Sequence, residues 1–156
     1  MQRLKLITHA KGAPGLRFLG LGPNFLPSRG LLKLKQLFDK HAFWAKDRNY
    51  KSLRILLSCS DVIVTLWRDQ RMIGFGRATS DGIYRAVLWD IVVADDLQGK
   101  GLGSQVVKAL LDSKSIKNVE RIYLMTTNSA SFYLQHGFQN CKTQNLLIKS
   151  KDFLKE

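Results

Sequence analysis

Long apolar runs are missing from this sequence. None approaches the roughly 18 residues that a membrane-spanning helix needs. The longest, such as Ile55-Leu56-Leu57 and Ile91-Val92-Val93-Ala94, read as short core segments of a soluble protein. Cysteine is nearly absent. Cys59 and Cys141 are too few and too far apart for a disulfide framework or a zinc site. Free cysteines are usually buried, so both are expected inside the core, in keeping with a reducing, cytoplasmic compartment. His9, His41 and His136 stand at no metal-ligand spacing, and no metal is expected.

Acidic residues are scarce too. Twelve Asp and Glu face 25 Lys and Arg, a formal net charge of +13, and the first 38 residues hold seven basic residues and no acid. A field of that sign attracts nucleic acid, acidic membrane or a phosphate-rich ligand. The basic residues are scattered from Arg3 to Lys155, however, with no arm, Arg-rich tract or base-reading motif, which disfavours nucleic acid. An acid-poor, basic start is a feature of organelle transit peptides. This one lacks their serine, and no apolar core suits a secretory signal. Residues 1–15 are expected to be flexible, ahead of a core over 16–148.

The 156 residues, 45% of them hydrophobic, fit one domain. Glycines and prolines over 12–30 predict loop around at most one short strand near Leu16–Leu21. Leu31, Leu34, Phe38 and Ala42 follow at helical spacing, with Ser28 as the expected N-cap. A second helix carries Leu53, Leu56 and Leu57 behind Asn49 or Asp47. The period then changes. Asp61–Trp67, Met72–Ala78 and Tyr84–Ala94 read as three antiparallel strands. Val106, Val107, Leu110 and Leu111 share a helix face. Val119–Met125 reads as a buried central strand, Asn128–His136 as a short helix ended by Gly137, and Phe138 and Leu146–Ile148 as closing strands. The order predicts an α/β (α+β) fold with a mixed, mostly antiparallel sheet and helices on both faces.

Between the third strand and the next helix lies Gln98-Gly99-Lys100-Gly101-Leu102-Gly103-Ser104. Glycines let the backbone approach a ligand, and a helix start offers free N–H groups and a dipole that favour an anion such as a pyrophosphate. A P-loop needs Ser or Thr after Gly-Lys, and here Gly101 follows. A dinucleotide-binding fingerprint needs glycine at 104, which is Ser104. A tight strand-to-helix turn without a ligand remains the plain alternative.

The loop resembles the Gln/Arg-x-x-Gly-x-Gly signature of the GCN5-related N-acetyltransferase (GNAT) family. About 25 residues on, Asn128-Ser129-Ala130-Ser131-Phe132-Tyr133-Leu134-Gln135-His136-Gly137-Phe138 resembles that family's second motif. Ala42-Phe43-Trp44-Ala45, Gly74–Gly82, Leu88-Trp89-Asp90 and Tyr123–Thr127 resemble its cyanobacterial and plastid branch, which includes serotonin N-acetyltransferase-like proteins and others that acetylate protein amines.

The resemblance implies acetyl-CoA as donor, an arylalkylamine or protein amine as acceptor, no metal, and a monomer or homodimer in the cytoplasm or, in a eukaryote, the plastid. It implies that Ile91-Val92-Val93 offers backbone groups to the pantetheine arm, with an N–H, that of Val92, facing the thioester oxygen. Gly99 to Ser104 would hold the pyrophosphate, with Lys100 at its mouth. Asn128 and Ser131 would lie along the arm. Tyr133 would act as general acid on the leaving thiolate, unless its ring is simply core. Asp90 is the nearest carboxylate to serve as base, and an ordinary strand aspartate is the alternative. Phe43, Trp44, Tyr84 and Trp89 would line the acceptor pocket, with core packing the alternative for these aromatics. A non-catalytic acyl-CoA-binding module on the same fold stays open.

Overall fold

The computed structural model describes residues 2–151, in two units divided between Met125 and Thr126. The first unit is built on five strands: β1 (Leu4–His9), β2 (Val62–Arg68), β3 (Arg71–Ser80), β4 (Arg85–Val93) and β5 (Arg121–Tyr123). They lie side by side in chain order. Neighbours from β1 to β4 are antiparallel, whereas β5 runs parallel to β4. A parallel pair needs a crossover, and α4 (Leu102–Asp112) supplies it.

Periodicity explains how the helices cover the sheet. In α2 (Gly30–His41) the apolar stripe Leu31, Leu34, Leu37 and Phe38 is buried. Phe38 meets Phe75 of β3 edge-on, with ring centroids 5.3 Å apart. The neighbouring positions of β3 point to the other face. There Gly74 and Gly76 leave room for α4: a Cβ on Gly76 would come within 2.8 Å of Val106 and 2.9 Å of Leu110. Helices therefore pack on both faces, as expected. Asn49 caps α3 (Tyr50–Ser58), its side chain accepting from the Ser52 N–H, and Asp69 in the left-handed region turns the β2–β3 hairpin.

Several local expectations are corrected. Residues 4–9 are no flexible lead: β1 pairs with β2 from Leu4↔Arg68 to His9↔Ile63. Its partner lies more than fifty residues away, beyond the reach of local spacing. The short strand expected near Leu16–Leu21 is instead helix α1 (Pro14–Leu19), opened by Pro14 and ended by Gly20 at φ 61°. Ser28 does not cap α2; its hydroxyl donates to the Leu26 carbonyl. The buried central strand over 119–125 reduces to the three residues of β5, partly exposed and last in the sheet among the described residues. Cys59 and Cys141 are exposed.

His9 shows what β1 contributes. Its Nε2 lies 2.8 Å from Thr65 Oγ1, and Trp67 Nε1 donates to that same oxygen at 2.8 Å. The threonine proton is then free to point at a neutral imidazole. Burial pushes the His9 pKa down to about 4. The unfolded state therefore binds a proton that the folded state refuses between about pH 6.5 and 4. Wild-type stability is expected to fall by up to about 3 kcal/mol across that window, relative to His9→Gln, in urea unfolding at stepped pH. A constant difference between the two proteins would contradict it.

The second unit holds α5 (Ala130–Leu134), shorter than the helix expected over 128–136. Tyr133 lies between two rings, with centroids 4.9 Å from Phe132 and 6.0 Å from Phe138. Gly137 follows at φ 87°. The expected closing strands do not form: no strand follows Tyr123 among the described residues, and Leu146, Leu147 and Ile148 are exposed.

Candidate active site

The parallel pair opens. Arg85, Ala86 and Val87 of β4 pair with Arg121, Ile122 and Tyr123 of β5. Among the described residues, β4 then continues to Val93 with no strand paired on that side. Its far half presents a free edge, able to accept an extended ligand as an added strand. In sheets of this kind, ligands sit where neighbouring strands part beyond their carboxyl ends.

A β-bulge sets which backbone groups face that edge. Phe75 pairs with Val92 and Arg77 with Trp89, so Asp90 and Ile91 together oppose Gly76. Before the bulge, even-numbered residues face β5: the Tyr84 carbonyl accepts from the Arg121 N–H, while Arg85 bonds across to Asp81. After it, the Ala94 N–H bonds to Ile73 on β3. Alternation then turns the Val92 N–H toward β3 as well, and turns Ile91 and Val93 to the open edge. The expectation that Val92 supplies the edge donor is corrected on this ground. One inserted residue reverses the parity of the strand.

That residue is Asp90, at φ 52°, a left-handed conformation that aspartate tolerates better than most residues. Its side chain is only 6% exposed. Arg77 Nε donates to Oδ2 at 2.8 Å and Arg48 Nη2 to Oδ1 at 3.2 Å. Arg48 Nη1 adds an ion-pair contact at 3.1 Å. Burial pushes the carboxyl up, but hydrogen bonds from Arg48 and Arg77 outweigh it and hold the pKa below the usual range. A carboxylate committed to two guanidiniums is a poor acceptor for an amine proton. The role of base is therefore withdrawn, and Asp90 is read as the pin of the bulge.

Sequence reasoning missed both arginines. Arg77 carried one signal: a charge within an apolar strand. Arg48 carried none. It arrives from the segment before α3, held by a hydrogen bond from Lys35 Nζ to its carbonyl and stacked 5.3 Å over the Phe38 ring.

β4 leads into a short 3-10 turn, Asp95–Leu97, and then the glycine loop. Leu97 is buried, and Asp96 takes a two-bond clasp from Arg71, 2.9 Å in each bond. That clasp holds the Asp96 carboxyl down at about 2. Gln98 Nε2 donates to the Val93 carbonyl at 3.3 Å and to Asp95 Oδ1 at 3.1 Å, so its side chain braces the loop. Gly99 and Gly101 sit at φ 75° and 76°, and a Cβ on either would meet no atom within 4 Å. Both need glycine for conformation, and both face open space. Lys100 is exposed, Leu102 is buried as the anchor of α4, and Gly103 and Ser104 are half-buried. Among the described residues no acceptor takes the Leu102 or Gly103 N–H. These orphan donors, the helix dipole and the open space suit a pyrophosphate.

Of the four aromatics expected around an acceptor, Tyr84 stands apart from the others. Phe43 and Trp44 meet edge-on, centroids 5.2 Å apart, and are largely exposed. Trp89 lies under Arg77 and donates to Thr79 Oγ1 at 2.9 Å, beside Asp90. Tyr84 is set apart at the far end of β4, about 20 Å from Asp90 at the rise of a strand. In the second unit, Ser129 donates to Asn128 Oδ1 at 3.2 Å and Ser131 is exposed. Burial pushes the Tyr133 phenol up to about 12. Among the described residues no cluster of His, Cys, Asp or Glu suits a metal, and no helix is long and apolar enough to cross a membrane.

A mixed sheet that parts beside a glycine loop at a helix start offers an extended edge and an anion site together. Residues 60–140 match the acetyltransferase (GNAT) domain model, and the chain belongs to that family. It is 32% identical over 139 residues to the uncharacterized N-acetyltransferase ycf52 of Pyropia yezoensis, covering 86% of this chain and 79% of that one. It is 31% identical over 96 residues to the chloroplastic GCN5-related N-acetyltransferase 1 of Arabidopsis thaliana, covering 58% of this chain and 48% of that protein. These relatives place it in the cyanobacterial and plastid branch. A crystal structure of a GNAT-family protein from Xanthomonas campestris pv. campestris superposes with TM-score 0.71 over 96% of this chain and 94% of the other, at 20% identity, a likeness of fold.

Proposed function

We propose that this protein transfers the acetyl group of acetyl-CoA to a primary amine by direct attack within a ternary complex, as a single acetyltransferase domain. The observation that carries the reading is the free edge of β4 running into the open glycine loop. Bound acetyl-CoA would supply an acyl group activated as a thioester. The Val93 N–H would bond the pantetheine arm, and the Ile91 N–H, of the same parity, would stabilise negative charge developing on the thioester oxygen. Gly99 to Ser104 would hold the pyrophosphate, Lys100 adding charge at the mouth. Asn128 and Ser131 would bond the arm, as the family resemblance implies. Tyr133 would keep its proton until the sulfur leaves. Phe43, Trp44 and Trp89 remain the proposed acceptor contacts. An arylalkylamine or a protein amine is the proposed acceptor, in the cytoplasm or a plastid.

Two measurements test this. A thiol-release assay against serotonin, tryptamine, polyamines and lysine peptides should give turnover with at least one amine. Tight acetyl-CoA binding with no release from any of them would favour a non-catalytic acyl-CoA-binding module. Gly101→Ala should raise the KM for acetyl-CoA at least about tenfold, because the new methyl occupies the phosphate space. The fold should survive, since that methyl meets no protein atom and the left-handed backbone costs about 1–2 kcal/mol. An unchanged KM would place the pyrophosphate elsewhere.

A further inference from the structure

His41 closes α2, and its side chain is only 14% exposed. Its Nδ1 lies 3.1 Å from the Asp95 backbone nitrogen and also 3.1 Å from Asp95 Oδ2. One ring nitrogen cannot serve both. As a neutral acceptor it takes the backbone N–H; once protonated it donates to the carboxylate and offers that N–H nothing. The N–H matters because Asp95 opens the 3-10 turn Asp95–Leu97, and no side chain caps the turn from Ala94. The first N–H groups of a helical turn have no partner within it. His41 supplies one from 54 residues away.

The same aspartate reaches the glycine loop. Asp95 Oδ1 accepts from Gln98 Nε2, which also donates to the Val93 carbonyl. His41, Asp95 and Gln98 thus form a chain of contacts from α2 to the open end of β4. Among the other charges near His41, Arg71 of β3 clasps Asp96. That clasp holds Asp96 at about 2, so its charge is constant near neutral pH. Lys33 and Lys40 of α2 border the same surface and oppose a further positive charge. The Asp95 carboxylate and the carbonyl end of α2 favour it.

We propose that His41 is a positioning residue for the coenzyme loop: neutral, it fixes the backbone of the Asp95–Leu97 turn, and protonated, it releases that backbone and holds the Asp95 side chain instead. Coenzyme binding at the glycine loop should therefore weaken as the imidazole takes up a proton. The new charge is met by Asp95 Oδ2, so it adds little to the pull on the phosphates. The coenzyme effect rests on the reading that this loop holds the pyrophosphate; the exchange of partners at Asp95 does not.

The test has two arms. In the full chain labelled for NMR, the His41 ring and the Asp95 amide are followed from about pH 8 to about pH 5.5, the range in which histidines change charge. The Asp95 amide proton should shift upfield with the same midpoint as the His41 ring, as its acceptor is lost. In Asp95→Asn, which keeps an oxygen for Gln98 and no charge for an imidazolium, the shared midpoint should move to lower pH. An Asp95 amide that ignores the ring titration would overturn the proposal. The second arm is the dissociation constant of coenzyme A over the same range. Wild type should weaken about three- to tenfold more than His41→Asn, the worth of one hydrogen bond. Asparagine can place an oxygen where Nδ1 stands and takes up no proton. The phosphomonoester of the coenzyme titrates in the same range for both proteins and cancels in the comparison. Equal pH dependence in the two would also overturn the proposal. Failure of both proteins to bind coenzyme A at any pH would overturn the pyrophosphate reading and the coenzyme half of this proposal, while the amide titration still decides the exchange at Asp95.

Discussion

Turnover of Tyr133→Phe is expected to fall by about 10²–10⁴-fold, the usual range for loss of a positioned acid, with the KM for acetyl-CoA nearly unchanged. Burial raises the phenol to about 12, so it is fully protonated across the working pH range. The raised pKa also constrains the timing. A free thiolate has a pKa near 8.5, so transfer from this phenol after the C–S bond had broken would be uphill by about 5 kcal/mol. In the proposed role of acid, the proton is therefore expected to move as the bond breaks. Phenylalanine keeps the ring between Phe132 and Phe138, so the thermal midpoint should scarcely move. Steady-state kinetics on the folded variant decide the matter; wild-type turnover would remove Tyr133 from the reaction.

Asp90→Ala is expected to destabilise the protein by about 3–5 kcal/mol in urea unfolding, the cost of stranding a buried ion-pair partner. Arg77 would lose a 2.8 Å bond inside the fold, and alanine tolerates the φ of 52° poorly. Asp90→Gly separates these effects, because it keeps the left-handed backbone and loses only the charge. The glycine variant should retain more turnover than alanine at similar acetyl-CoA binding, since the bulge aims Ile91 and Val93. The pH dependence has a definite sign. The folded carboxyl titrates below its ordinary range, so near and below pH 4 the unfolded state binds more protons. The stability Asp90 provides is thus fully present above about pH 4 and is lost as pH falls through the folded pKa. The gap between wild type and Asp90→Asn should stay constant above pH 4 and close below it. The pH–rate profile of the Asn variant should keep its acidic limb. Loss of that limb would restore Asp90 as a base.

Much of the frame was legible from spacing alone. The stripe Leu31, Leu34, Phe38, the three strands from Asp61 to Ala94 and the face of Val106, Val107 and Leu110 each carry their period within a dozen residues. The glycine loop was legible for the same reason: conformation at Gly99 and Gly101 and the donors of the helix start are local properties. The Asn49 cap is likewise written in neighbouring residues.

What escaped depends on partners far apart in the chain. β1 exists because residues 62–68 offer it a ladder. Asp90 reads in sequence as a free carboxylate, and only the arrival of Arg48 and Arg77, 42 and 13 residues away, turns it from acid–base chemistry to architecture. Tyr84 looked close to Trp89 in sequence, but an extended strand carries each residue about 3.3 Å further on and separates them. The donor edge assigned to Val92 moved to Ile91 and Val93 because a bulge opposite Gly76 shifts alternation by one, a count that depends on how two strands align. The sequence by itself determined the glycine loop and the helix start that follows it, because both are local properties of the chain. The tertiary structure decided which backbone groups face the open edge and which charges are already spent, because pairing and burial are properties of neighbours that the chain brings together only on folding.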